Sequence, residues 1–424
     1  MLHCGFDQIC LFHKTKGSIM AVNLTEKSPD QLRLIDGVQL FTAQAGIKKA
    51  QHDDVTLMLL SPESTVAAVF TQNKFCAAPV RVAKRHLFNE NGIRALIINT
   101  GNANAGTGAS GEQHALQMCA AAAKSAGCLL EQVLPFSTGV ILEPLPIQKI
   151  VDALLKIRQV DWGLAARAIM TTDTVAKAAS AEARVGNHHT VRATGISKGA
   201  GMICPNMATM LGFIATDANI AQPILQQMTE DIANETFNCI TVDGDTSTND
   251  SFVIIATGKC GQNEIDNIAD PRYQQVYDLL KQVALELAQA IVRDGEGATK
   301  FITVRVENAS SLHNARKIAY AIAHSPLVKT AFSASDPNLG RILAAIGYSG
   351  EAVDVDKLRL YLGDVLVAEQ GGRAASYQEA DGQRVMNEAE ILVRVDVNAG
   401  THHATVYTCD LTKEYVAINA DYRS

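Results

Sequence analysis

Between Lys198 and Phe213 the chain reads KGAGMICPNMATMLGF, and the residue in it with the most chemistry to offer is Thr209. A small residue, Ala208, stands directly before it. After it the chain turns apolar and strand-like through Met210, Leu211, Phe213 and Ile214. If the Ala208–Thr209 bond is cut, Thr209 becomes a chain terminus whose hydroxyl lies beside its own α-amine. An α-amine titrates near ~7.7–8.0, so the two groups form a nucleophile with a built-in base close to working pH. Gly199, Gly201 and Pro205 permit the unusual backbone path such a bond needs, and Lys198 brings a cation. Threonine is also an ordinary strand residue. Position alone therefore leaves open an intact loop that simply leads into a strand.

Extended to Ala218, the stretch KGAGMICPNMATMLGFIATDA resembles the processing segment of the ornithine acetyltransferase / glutamate N-acetyltransferase family of arginine biosynthesis. Further segments match in the family's order: GNANAGTG (101–108), STGVILE (137–143), TTDT (171–174), TVDGDTSTND (241–250), DGEGATK (294–300), SDPNLGRI (335–342) and YVAINADYRS (415–424). The resemblance runs from about Asp36 to the last residue. Leu339 stands where the family usually has tryptophan and Cys204 where alanine is common, and neither change removes an assigned functional group.

The resemblance implies a fold, a processing event and a site. The implied fold is α/β: an αββα layered sandwich resembling N-terminal-nucleophile hydrolases with different connectivity, self-cleaved into two chains. The Thr209 hydroxyl would attack the Ala208 carbonyl in an N-to-O acyl shift, and water would release the new terminus. Residues 20–208 would then be an α chain and 209–424 a β chain, both contributing to one layered unit. The expected activity is transfer of acetyl from N2-acetylornithine to glutamate through an acetyl-threonine, with acetyl-CoA as a further acetyl donor in some family members. Thr138 and Gly139 of STGVILE correspond to an oxyanion site. Thr172, Lys198, Thr209, Glu296, Asn419 and Ser424 correspond to substrate contacts. Together they make chemical sense, because N-acetylornithine carries a carboxylate and a cationic amine around one reacting carbonyl. No metal or bound cofactor is implied, and the family suggests paired α and β chains, commonly two of each. An N-terminal-nucleophile amidase or aminopeptidase keeps the same nucleophile and hands the acyl group to water.

The elements that must position these residues are legible in part. Strand patterns occur at Val55–Leu60, Val66–Thr71, Ala95–Asn99, Met210–Thr216, Phe252–Ala256, Phe301–Val306 and Ile391–Val397. Helical periodicity occurs at Glu112–Ala126, Ile147–Lys156, Ile224–Phe237 and Tyr273–Val292; in the last, Val276, Leu279, Leu280, Val283, Leu287 and Ile291 share one face. Helices packed outside sheets fit this mixture. With 424 residues, 47% of them apolar, the chain predicts two subdomains or one large layered unit. Thr209 falls near the midpoint, and each half carries isolated apolar strands, so both halves are expected to share one core.

Composition excludes several classes. A net charge of −7 lacks the basic stripe that nucleic acid requires. Nine scattered cysteines without a CxxC pair suit reduced thiols rather than a disulfide framework or zinc site, and Cys204 reads as a packing residue. No segment has membrane-helix length and no signal core is seen, so the reading is a cytoplasmic protein. Residues 1–19 match nothing; Met20 is an alternative start, and the preceding residues read as a dispensable extension.

Three motifs carry less than they suggest. Gly106 to Gly111 spells GxGxxG, but GNANA separates it from the preceding strand, which fits a Gly/Asn turn at a helix start better than a dinucleotide turn. Asp243 to Asn249 resembles the start of a calcium loop but lacks the glycine expected at Thr248 and the glutamate expected at Ile254. The pairs His188–His189 and His402–His403 lack metal-ligand spacing.

Overall fold

Along Ala95–Asn102 the side chains divide with period two: Leu96 and Ile98 pack to one side, Ala95 and Ile97 to the other. A strand buried on both faces reads as a continuous apolar run, and that is how this one reads. The computed structural model describes residues 21–48, 51–186, 189–204 and 210–421. The expected residues Ala208, Thr209, His188 and Ser424, and the 1–19 extension, lie outside them.

Ala95–Asn102 belongs to a five-stranded sheet ordered Val133–Val140, Ala95–Asn102, Val55–Leu60, Val38–Ala43 and Arg158–Val160. A second five-stranded sheet runs Thr65–Phe70, Ser251–Ala256, Leu211–Thr216, His189–Lys198 and Lys177–Val185. The inner faces of the two sheets meet in one core, where Met58, Leu96 and Phe136 oppose Phe213, Ala215 and Val253. Outside the first sheet, Met118 and Ala122 of the helix Gly108–Ala126 and Ile150 of Ile147–Leu154 cover Leu57 and Ile97. Outside the second, the helices Gln222–Glu235 and Tyr273–Arg293 cover Ile214, Phe252 and Ile254. The layers are therefore helix, sheet, sheet, helix.

A third sheet of six strands, all between residues 301 and 409, has a separate core with the helices Leu312–His324, Pro326–Ser333 and Leu339–Gly347. The described residues thus form a layered unit with an added sheet that no periodicity had isolated. The second sheet takes strands from both sides of residue 209, and its outer core runs from Val22 to Cys409.

Most expected elements occur with small shifts of boundary. Val55–Leu60 has the expected bounds, and the long helix Tyr273–Arg293 buries all six residues of its expected face. Ala95–Asn102 continues three residues past its expected end, because Gly101 and Asn102 still pair with the neighbouring strand. The GNANA stretch is thus partly strand. The turn after it is built on Asn104, whose Nδ2 donates to the Gly111 carbonyl at 2.8 Å and whose Oδ1 accepts from the Thr107 hydroxyl at 2.8 Å. The helix starts at Gly108, four residues earlier than its periodicity. His402 and His403 are exposed on the strand His402–Cys409. No group of three metal-ligating side chains, and no helix long and apolar enough to cross a membrane, occurs among the described residues.

The sheet–sheet contact is anchored by Phe136 and Phe213, whose rings meet edge to face with centroids 5.0 Å apart. Both are almost wholly buried. Phe213→Ala is expected to destabilise the protein by about 3–5 kcal/mol in denaturant unfolding. A loss below about 1 kcal/mol would mean that the two inner faces repack without this contact.

Candidate active site

Six residues from five segments line one cavity of about 280 Å³: Thr138, Gly139, Thr172, Lys198, Glu296 and Asn419. These are all the described residues that sequence reading assigned to the site. Met210, the residue after Thr209 in the sequence, lines it as well.

Thr138 and Gly139 lie at the end of Val133–Val140, which runs parallel to Ala95–Asn102. The register shifts at Gly101/Asn102, and the backbones come so close that a Cβ on Gly139 would sit 2.3 Å from the Gly101 carbonyl carbon. Gly139 also has φ +133°, a conformation L side chains avoid. The position is closed to any side chain, and this keeps the Gly139 backbone at the cavity wall. Asn249 ties the region together: its Nδ2 donates to the carbonyls of Ala103 at 2.6 Å and Ser137 at 2.9 Å.

Lys198 ends the strand His189–Lys198 and is buried. Its Nζ donates to Thr138 Oγ1 at 3.2 Å, which leaves the threonine's own hydrogen for an acceptor in the cavity. Burial lowers the Lys198 pKa below that of an ordinary lysine, against the opposing pull of Asp173, Asp250 and Glu296. Behind it lies a buried ionic cluster: Lys177 Nζ donates to Asp173 Oδ1 at 2.6 Å and to Asp294 Oδ2 at 2.5 Å. Burial alone would raise the Asp173 pKa; Lys177 and Lys198 overcome it and hold the carboxyl far below the usual range. Asp294 further accepts from the backbone and hydroxyl of Thr174, so the cluster fixes the TTDT segment that carries Thr172.

Glu296 is buried, its amide donates to the Ala200 carbonyl at 2.9 Å, and its Oε2 accepts from Asn419 Nδ2 at 2.7 Å. Asn419 rides on the last helix, Lys413–Ala420. That helix starts at Thr412, whose hydroxyl donates to the Gly297 carbonyl at 2.7 Å, one residue beyond Glu296. The C-terminal helix and the DGEG turn are therefore joined at two points.

Asp243 holds the start of the glycine-rich loop. Its Oδ2 accepts from the Met202 amide at 2.6 Å and its Oδ1 from the Ile203 amide at 2.9 Å, while Tyr415 Oη donates to Oδ2 at 3.1 Å. The motif that resembled a calcium loop is a backbone clamp. Thr246 Oγ1 adds a bond to the Cys204 carbonyl at 2.9 Å. Cys204 approaches His324, with Sγ 3.4 Å from Nε2. Burial pushes the thiol up to about 11 and the imidazole down to about 4, so this pair is neutral at pH 7 and offers no thiolate.

Sequence reading missed Asp173, Lys177, Asp243 and Asp294. Three of them stand inside the quoted motifs. The available signal was ionisable residues in otherwise apolar or small-residue runs, as in TVAKAASA around Lys177, since a charge there must find a partner. Gly139→Ala is expected to cost about 1–3 kcal/mol from backbone strain alone, read by denaturant unfolding. A variant as stable as the parent would show that the two backbones separate easily.

The ArgJ family model matches residues 39–424. The arginine biosynthesis bifunctional protein ArgJ of Neisseria meningitidis is 70% identical over 406 residues, covering 96% of this chain and all of the relative. The protein of that name from Neisseria gonorrhoeae is 69% identical over the same length and coverage. Among solved structures, an arginine biosynthesis bifunctional protein argJ from Bacillus halodurans is similar at 40% identity and a TM-score of 0.49, covering 50% of this chain and all of that one. An ornithine acetyltransferase from Mycobacterium tuberculosis, complexed with ornithine, aligns at 30% identity and a TM-score of 0.35, over 41% of this chain and 94% of that one. The family match spans nearly the whole chain and both close relatives are covered end to end: the chain belongs to the ArgJ family, the ornithine acetyltransferase / glutamate N-acetyltransferase family of arginine biosynthesis, and is an acyltransferase.

Proposed function

We propose that this protein cleaves itself between Ala208 and Thr209 and then carries acetyl from N2-acetylornithine to glutamate on the Thr209 hydroxyl. The observation that carries the reading is the shared cavity. It places a buried cation, Lys198, and a buried carboxylate, Glu296, on walls that also present Thr138, Gly139 and Thr172. N-acetylornithine needs that set: a cation for its carboxylate, an anion for its side-chain ammonium, and donors for the carbonyl between them. The ornithine named with the Mycobacterium tuberculosis relative belongs to the same chemical class.

In this mechanism Thr209 Oγ adds to the acetyl carbonyl and its proton passes to the Thr209 α-amine. The oxyanion takes hydrogen bonds from the Thr138 hydroxyl and the Gly139 N–H. The C–N bond then breaks, and the departing ornithine amine takes the proton back, leaving an acetyl ester on Thr209. Glutamate's amine attacks that ester by the reverse steps and leaves as N-acetylglutamate. One amide is exchanged for another, so neither nucleotide nor metal is needed. Acetyl-CoA can load the same hydroxyl by thioester exchange, a second donor consistent with the word bifunctional in the relatives' names. The working form is a cytosolic assembly of α (20–208) and β (209–424) chains as α2β2, with Ser424 among the substrate contacts.

Thr209→Ala is expected to give a single uncleaved chain with no transfer; a cleaved, active variant would remove the nucleophile. Thr138→Ala should lower kcat by about 10²–10³ with little change in KM, the usual cost of one oxyanion donor. Glu296→Gln should raise KM for N-acetylornithine roughly tenfold or more, because a hydrogen bond to a charge is lost. Rapid loss of acetyl from the enzyme without glutamate would make the protein an amidase instead.

A further inference from the structure

One short segment, residues 241–251, holds the chain on both sides of residues 205–209. On the upstream side, the Ile203 carbonyl accepts from the Val242 amide at 2.7 Å and from Thr241 Oγ1 at 3.0 Å. Asp243 accepts the amides of Met202 and Ile203 on separate oxygens, and Thr246 Oγ1 donates to the Cys204 carbonyl. On the downstream side, the Ser251 amide donates to the Met210 carbonyl at 2.9 Å. The same segment reaches the strand that carries Thr138, because Asn249 Nδ2 donates to the Ser137 carbonyl.

The upstream backbone needs such support. Met202 sits at φ +55°, in the left-handed region, and follows Gly201, where a Cβ would lie 2.4 Å from Glu296 Oε2. A residue with a side chain keeps that conformation where its surroundings fix it. Amide bonds to a carboxylate are shorter and stronger than those between neutral groups, and here two consecutive amides share one. Neither Asp243 nor Thr246 lines the reaction cavity, so contact with substrate does not account for them.

We propose that Asp243 and Thr246 are positioning residues for self-cleavage: they hold the backbone upstream of the Ala208–Thr209 bond while Ser251 holds Met210 downstream of it. This rests on the proposed cleavage at that bond. In the step they serve, Thr209 Oγ adds to the Ala208 carbonyl carbon and the C–N bond breaks. The hydroxyl proton ends on the freed amine, and water hydrolyses the ester. Misplacing two reacting groups by about 1 Å can cost about 10²-fold in rate, so the backbone leading to them has to be fixed.

The experiment follows the full chain, pulse-labelled in cell-free translation, as it converts into two fragments on a denaturing gel. Asp243→Asn turns an NH2 group toward one of the two amides, so both can no longer be accepted. Cleavage is expected to slow about tenfold or more. Deuterium uptake by the peptide 199–204 should rise in the same variant, because the Met202 and Ile203 amides lose their shared acceptor. Asp54→Asn is the control, since Asp54 holds the Ala45 and Ile47 amides in the same way, both at 2.6 Å, beside the strand Val55–Leu60. It should cleave at the wild-type rate even where it lowers the urea midpoint as much. Thr246→Val removes only the bond to the Cys204 carbonyl and carries the test if Asp243→Asn does not fold. It should slow cleavage about two- to tenfold, the equivalent of one neutral hydrogen bond.

Wild-type cleavage in folded Asp243→Asn or Thr246→Val, equal slowing in Asp54→Asn, or unchanged deuterium uptake at 199–204 in Asp243→Asn would overturn the positioning role. The underlying reading fails separately: if the wild-type chain does not divide between Ala208 and Thr209 by intact mass, there is no cleavage to position.

Discussion

The backbone ladder between His189–Lys198 and Leu211–Thr216 is the constraint on which the rest of the structure depends. These antiparallel strands pair from Ala193 with Thr216 through to Lys198 with Leu211. The chain leaves the ladder at Lys198 and re-enters it at Leu211, so the intervening loop starts and ends at paired positions on the cavity wall. Leu211–Thr216 pairs on its other side with Ser251–Ala256, which pairs in turn with Thr65–Phe70. A cut inside the loop would leave every one of these ladder bonds intact. The two pieces would still share the second sheet, its outer helices and the core against the first sheet.

That arrangement explains why the site tolerates so much buried charge. Isolated ions in an apolar interior are unfavourable, and they persist when pairing and hydrogen bonds satisfy them. Here Lys177 is shared by two aspartates, and each aspartate also accepts backbone amides or a hydroxyl from the loops that border the cavity. Asp243 does the same for Met202 and Ile203. The charges serve geometry: they fix loops that no periodic packing holds, next to strands that are held rigidly. Glu296 lines the cavity with Asn419 as its neutral partner, so the same cavity presents groups of both signs.

The layered half of the fold was legible because its signals are local. Strands buried on both faces appear as short apolar runs, and the helix Tyr273–Arg293 shows its stripe at helical spacing. Lys177–Val185 and His189–Lys198 escaped notice because alanine, glycine, serine and threonine alternate there without a strong apolar contrast. The third sheet was missed as a unit because its identity lies in which strands pair, as with Phe301–Ala309 and Glu390–Asp396. The site was legible through motif resemblance: six residues from distant segments meet in one cavity. Asp173 and Asp294 were not, because their roles depend on Lys177 reaching both from a strand far from Asp294 in sequence. The calcium-like pattern at Asp243, set aside on sequence for its missing glycine and glutamate, also had no legible role. Its carboxylate oxygens are already occupied by backbone amides and the Tyr415 hydroxyl.

The central claim is that Thr209 becomes a terminal nucleophile that holds an acetyl group. The most direct measurement is the intact mass of the purified protein before and after exposure to N-acetylornithine without glutamate. The account predicts two fragments divided between Ala208 and Thr209, with one acetyl gained by the C-terminal fragment and lost again when glutamate is added. A single full-length species that gains nothing would contradict it.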